Sequence, residues 1–93
     1  MLAVHPGRIL KRELAARSLS ANKLALALRV PSGRITSILG GKRAIRPETA
    51  LRLSHYFDNS AQFWMNLQMR YDLATAEAEC GDRIRKEVAG AAA

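Results

Sequence analysis

The stretch Ser20–Gly41, SANKLALALRVPSGRITSILGG, constrains this chain more than any other. Leu24, Ala25 and Leu28 fall at i, i+1 and i+4, one face of a short helix. Ser20 suits its start, where a hydroxyl accepts a free amide of the first turn. Pro31 lacks an N–H and restricts the residue before it, so Arg29 and Val30 form a break. Beyond the break, Ile35, Ile38 and Leu39 share the inner face of a second helix, which Gly40-Gly41 ends. The small Ala25 lets the two helices cross closely, and Val30 plugs the turn. This is the spacing of a helix-turn-helix, whose second helix lies in the major groove of duplex DNA. The alternative is an ordinary packed helical pair. One residue departs from the pattern: the turn position commonly takes a left-handed conformation, cheapest for glycine, and here it is Arg29.

Charge supports the DNA-binding side. Residues 1–46 hold ten Lys or Arg against one acid, a balance of +9; residues 47–93 hold five against seven acids, a balance of −2. The basic half contains the helical pair, and a field of that sign steers a polyanion towards it. A merely solvated basic surface is the plainer explanation. Ninety-three residues suffice for one small domain with a single core. Cys80 is the only cysteine, which excludes an intrachain disulfide and fits a reducing, cytoplasmic setting. No apolar run approaches twenty residues, and the apolar Met1–Val4 gives way at once to His5-Pro6-Gly7, so neither a transmembrane helix nor a signal peptide is expected.

The rest of the chain reads as three further helices. Pro6 opens helix one, which runs to about Arg17 with Ile9, Leu10 and Leu14 inward. His5 has no Cys or His cluster around it and suits a helix start or the surface. After the pair, Lys42, Arg43 and Arg46 form a basic loop. Such a loop lies near the DNA backbone, and a solvated charge cluster is the alternative. Pro47 opens helix four, with Glu48 in its first turn and Ala50, Leu51, Leu53, Ser54 and Phe57 on its buried side. Ser60 caps helix five, from Ala61 to Glu77 or beyond. At a hundred degrees per residue, Phe63, Trp64, Leu67, Tyr71 and Ala74 occupy one arc, and Met65, Met69 and Leu73 nearly the opposite one. The second stripe makes Met65, Met69 and Leu73 candidates for a dimer interface; a wider core within the chain is the alternative. Gly81 then interrupts, so the expected division is a domain over 1–78 and a short exposed helix or frayed tail over 79–93.

No catalytic constellation is present. There is no zinc-ligand spacing, no phosphate loop with a preceding strand, and no defensible nucleophile–base pair around the two histidines. Neither an enzyme nor a metal or cofactor is expected.

With the helices placed, HPGRILKREL, LSANKLALALRVPSGRITSILGGKRAIRPETALRLSHYF and FWMNLQMRYDL resemble the HigA antitoxins, within the wider group of phage-repressor-like helix-turn-helix proteins. The likeness covers about residues 5–78. His5-Pro6-Gly7 and Phe63-Trp64-x-Asn66-Leu67-Gln68 carry it more specifically than the helical pair does. It implies an all-α, five-helix fold of the lambda-repressor-like kind. It implies a homodimer that represses its own operon on double-stranded DNA and neutralises a HigB-type toxin, a small RNase. By position, the base-reading candidates are Ser32, Gly33, Arg34, Thr36 and Ser37. The phosphate candidates are Ser20, Asn22, Lys23, Arg29, Lys42, Arg43 and Arg46; Asn22 stands where the wider group often has a phosphate-contacting glutamine. A stand-alone repressor without a toxin, and a protein-binding module that never touches DNA, are the rival readings.

Overall fold

The computed structural model describes residues 3–91. Met1, Leu2, Ala92 and Ala93, the ends of the apolar opening and of the GAAA tail, lie outside it. The described residues form five helices and no strand: α1 (Pro6–Ala16), α2 (Ala21–Leu28), α3 (Ser32–Leu39), α4 (Pro47–Phe57) and α5 (Ala61–Glu87). The all-α, five-helix expectation holds.

Each boundary has a local cause. Ser20 Oγ accepts the Lys23 amide at 3.1 Å, and Ser60 Oγ accepts the Phe63 amide at 3.0 Å, two side-chain N-caps. Pro6 and Pro47 sit in the first turns of α1 and α4. Three helices stop at non-glycine residues with positive φ: Ser18 at 50°, Arg29 at 59° and Asp58 at 57°. In each case an amide two or three residues beyond the helix reaches back to close the end, as Leu19 N–H does to Leu14 O at 2.9 Å.

Leu10, Leu14, Leu24, Ala25, Leu28, Ile35, Ile38, Ala50, Leu53, Phe57 and Trp64 form the core, together with Ile45 from the loop after α3. Leu51 does not join them: it is 61% exposed. Ala50, Leu53 and Phe57 already fill the inward arc of α4, and position 51 lies a hundred degrees outside it.

The two sequence signatures turn out to be framework. His5 Nδ1 accepts the Gly7 amide at 2.9 Å and caps α1, and its ring meets Tyr71 of α5 edge-on at 4.8 Å. Gly7 is buried where α1 runs onto the end of α3: a Cβ there would overlap the Ile38 carbonyl oxygen and stand 2.9 Å from its carbon. At the other signature, Trp64 Nε1 donates to Asn59 Oδ1 at 3.0 Å, and buried Gln68 accepts the Ile45 amide on its Oε1 at 2.8 Å. Gln68 is a buried polar residue with its partners supplied, since its Nε2 also donates to Asp72 Oδ1 at 2.9 Å.

Burial pushes the His5 imidazole below its ordinary range, against the opposing pull of the Asp72 carboxylate and a hydrogen bond to the Arg43 backbone. The folded chain therefore binds this proton less readily than the unfolded one. The associated stability is present above the unfolded value, about pH 6.5, and is lost as pH falls through it towards the lower folded value. Urea unfolding at pH 7.5 and pH 5 should show a loss on acidification that is smaller in His5→Asn, which retains a capping side chain. An equal loss in both proteins would remove His5 as its source.

α5 differs from the expected helix and tail. It continues through Gly81 without interruption to Glu87, so the boundary at residue 78 is not a break in the structure. Interior glycine weakens a helix by only about 1 kcal/mol relative to alanine. Here the Glu77 and Arg85 side chains, paired at 2.8 Å, lie across the glycine and bury it. At about 1.5 Å per residue the 27-residue helix is about 40 Å long, and its distal half runs beyond the bundle in a molecule 53 Å in its longest extent. The inner arc buries Trp64 and Gln68 and half-buries Leu67 and Tyr71, while Phe63 stays largely exposed. The opposite stripe divides: Met65 packs against the core, whereas Met69 and Leu73 are 52% and 63% exposed.

Candidate nucleic-acid interface

α2 and α3 meet at the turn anticipated from sequence. Arg29 takes φ 59° and ψ 47°, squarely left-handed, and the Val30 amide donates back to Ala25 O at 3.0 Å. A residue with a Cβ pays about 1–2 kcal/mol there. Arg29→Gly relieves that strain but gains freedom when unfolded, an opposing effect of about 0.4–1 kcal/mol. The variant is expected to be neutral to modestly more stable by chemical denaturation. A clear loss of stability would show that the Arg29 side chain makes a native contact that outweighs the strain.

Ile35 and Ile38, with Leu39 half-buried beside them, hold α3 down, so its remaining residues point outward. Ser32, Gly33 and Thr36 are exposed, and Arg34 and Ser37 half-exposed. A Cβ at Gly33 would meet nothing within 4 Å, so this helix leaves open space where a base edge could come close. The Thr36 hydroxyl turns back on Ser32 O and Gly33 O, at 3.3 and 3.2 Å, which leaves its methyl to be presented. A methyl suits contact with thymine, and an arginine suits guanine.

The basic loop is fixed to the same helix. Lys42 and Arg43 amides both donate to Ser37 O, at 2.9 and 3.2 Å, with Gly41 at φ 74° making the turn. Lys42, Arg43 and Arg46 are exposed along it. Ser20, Asn22 and Lys23 are likewise exposed at the start of α2. Free amides of a helix's first turn and short polar side chains are phosphate-binding groups. Arg29 stands apart from Ser20, Asn22 and Lys23, at the other end of α2. It borders an open groove of about 560 Å³ between α2 and α4 that Leu28, Leu51, Arg52, His55 and Tyr56 also line.

One feature escaped the sequence. Glu48, in the first turn of α4, faces Arg34 of α3: Arg34 Nη1 lies 3.4 Å from Glu48 Oε1. No spacing rule links residues fourteen apart on different helices, so only the assembled fold brings them together. Among the described residues no group of acids, histidines and cysteine is arranged to hold a metal, and no helix is long and apolar enough to cross a membrane.

Five helices, a left-handed turn between the second and third, and an outward polar face on the third define a helix-turn-helix protein of the phage-repressor-like kind. The chain is 44% identical to an addiction module antidote protein of the HigA family from Coxiella burnetii, over 98% of this chain and 100% of that one, with a TM-score of 0.94. It is 44% identical to the Pseudomonas aeruginosa antitoxin HigA, solved with the higBA promoter, over 96% of this chain and 98% of that one, at a TM-score of 0.93. Virulence-associated protein I of Dichelobacter nodosus is 49% identical over 80 residues, 85% of this chain and 74% of that protein. No family profile matches the chain. On these likenesses the chain belongs to the HigA family.

Proposed function

We propose that this chain is the antitoxin of a toxin–antitoxin pair: a homodimer that represses its own operon by binding duplex DNA through α3 and neutralises an mRNA-cleaving toxin. It is a regulator rather than an enzyme, and works in the cytoplasm. The observation that carries the DNA half is the outward face of α3, polar and open, with Lys42 and Arg43 anchored to the end of the same helix and Arg46 exposed on the loop that follows. The solved relative bound to its promoter supports it. Met69 and Leu73, exposed on α5 beside half-buried Met65, support a second copy as the dimer partner. The toxin half rests on the family alone.

Arg34→Ala should weaken operator binding by about 1–3 kcal/mol and relax preference at one base position. Titration of operator and scrambled duplexes with both proteins measures this. An unchanged operator affinity would remove α3 as the reading helix. For the toxin, the gene adjacent to this one should inhibit growth when expressed alone and be relieved by co-expression. A harmless neighbour would leave a stand-alone repressor.

A further inference from the structure

The structure assigns Glu48 as a positioning residue that holds Arg34 for reading a base and keeps it from acting as a general phosphate contact. This inference rests on the DNA-binding reading above and goes a step beyond it.

The carboxylate is gripped from both sides. Glu48 Oε1 faces Arg34 Nη1 at 3.4 Å, and Oε2 faces Arg52 Nη2 at 3.7 Å. Arg52 is itself anchored, since its Nη1 donates to Leu28 O at the end of α2 at 2.8 Å. A line of contacts thus runs from a backbone carbonyl of α2, through two α4 side chains, to the one arginine of the recognition helix. Arg34 is the better buried partner, with 28% of its side chain exposed against 67% for Glu48.

The surroundings show what the carboxylate opposes. Arg34, Arg43, Arg46, Glu48 and Thr49 line a small cleft of about 220 Å³ beside α3. Three guanidinium groups at one cleft would attract any phosphate of any sequence, and Glu48 is the only anion lining it. A negative charge there penalises phosphate and leaves the planar, bidentate face of Arg34 for a guanine edge. Specificity is a difference between two affinities, and a group that weakens the wrong complex raises it.

The test uses Glu48→Gln, which keeps the side-chain shape and removes the charge. Glu48 is exposed, so the variant should melt within about 2–4 °C of wild type, as surface changes of up to about 0.5 kcal/mol do. Binding to operator and to scrambled duplex is measured over a salt series. Glu48→Gln should bind scrambled duplex about two- to fivefold more tightly, the range an exposed ion pair can supply, and narrow the operator-to-scrambled ratio by the same factor. Its salt slope on scrambled duplex should steepen by about 0.9, one extra phosphate contact. In an Arg34→Ala background the effect of Glu48→Gln on the ratio should shrink, because the share that acts through Arg34 is gone while Arg43 and Arg46 still line the cleft. An unchanged ratio and slope in Glu48→Gln, with wild type still discriminating and Arg34→Ala impaired, would overturn the role of Glu48 alone. So would a Glu48→Gln effect that persists undiminished without Arg34. Failure of wild type to prefer operator over scrambled duplex would overturn the DNA-binding reading beneath it.

Discussion

Trp64→Ala is expected to lower the unfolding free energy by about 3–5 kcal/mol. The side chain is fully buried, against Phe57 at 6.0 Å between ring centroids and Phe63 at 5.1 Å. It is where α5 meets the bundle, and its Nε1 hydrogen bond to Asn59 fixes the turn between α4 and α5. Removing it opens a cavity and leaves the Asn59 oxygen without this donor. Small domains hold about 5–15 kcal/mol in total, so the variant should be near the edge of folding. Urea denaturation followed by circular dichroism reads the loss. A cost below about 1 kcal/mol would mean that α5 can repack onto the core without this anchor.

Gly7→Ala is the second large effect, and for the opposite reason. One added methyl group must displace the Ile38 carbonyl, which is backbone at the end of the recognition helix. Overfilling a packed site costs about 1–3 kcal/mol, and a backbone obstacle belongs at the top of that range. The consequence reaches function. α1 cannot retreat without carrying the His5 cap and its Tyr71 contact, so the strain is shared by α3. Gly7→Ala should therefore also weaken DNA binding although it lies outside the α3 surface. A denaturation midpoint equal to wild type would show that α1 and α3 are free to separate.

These two residues explain why the family signatures are specific. HPG and FWxNLQ describe joints: a glycine that admits a carbonyl, a histidine cap, a tryptophan anchor, and a glutamine that satisfies the Ile45 amide. Their chemistry is legible in sequence only as an unusual pairing of residues, because every partner lies far along the chain. Features set by local rules were readable. The Ser20 and Ser60 caps, the proline starts, the turn at Arg29 and the inward faces of α1 to α3 follow from spacing and backbone preference. Features set by tertiary neighbours were not. Ile45 is buried in a loop, where its amide meets Gln68 of α5 twenty-three residues away. Gly81 reads as a breaker until Glu77 and Arg85 are seen to close over it. Leu51 reads as core until the arc of α4 is filled by its neighbours. At the recognition face, the outward residues of α3 follow from its inner ones, whereas the Glu48 partner of Arg34 is a product of how α3 and α4 cross.

Selection of DNA from a pool of random duplexes tests the central claim most directly. If α3 of each subunit enters the major groove, the wild-type chain should enrich an inverted repeat. Its half-site centres should lie about ten base pairs, or about 34 Å, apart. The same selection with Arg34→Ala should lose preference at one symmetric pair of positions and keep the rest. Enrichment of no sequence by the wild-type chain, or an Arg34→Ala motif indistinguishable from wild type, would contradict it.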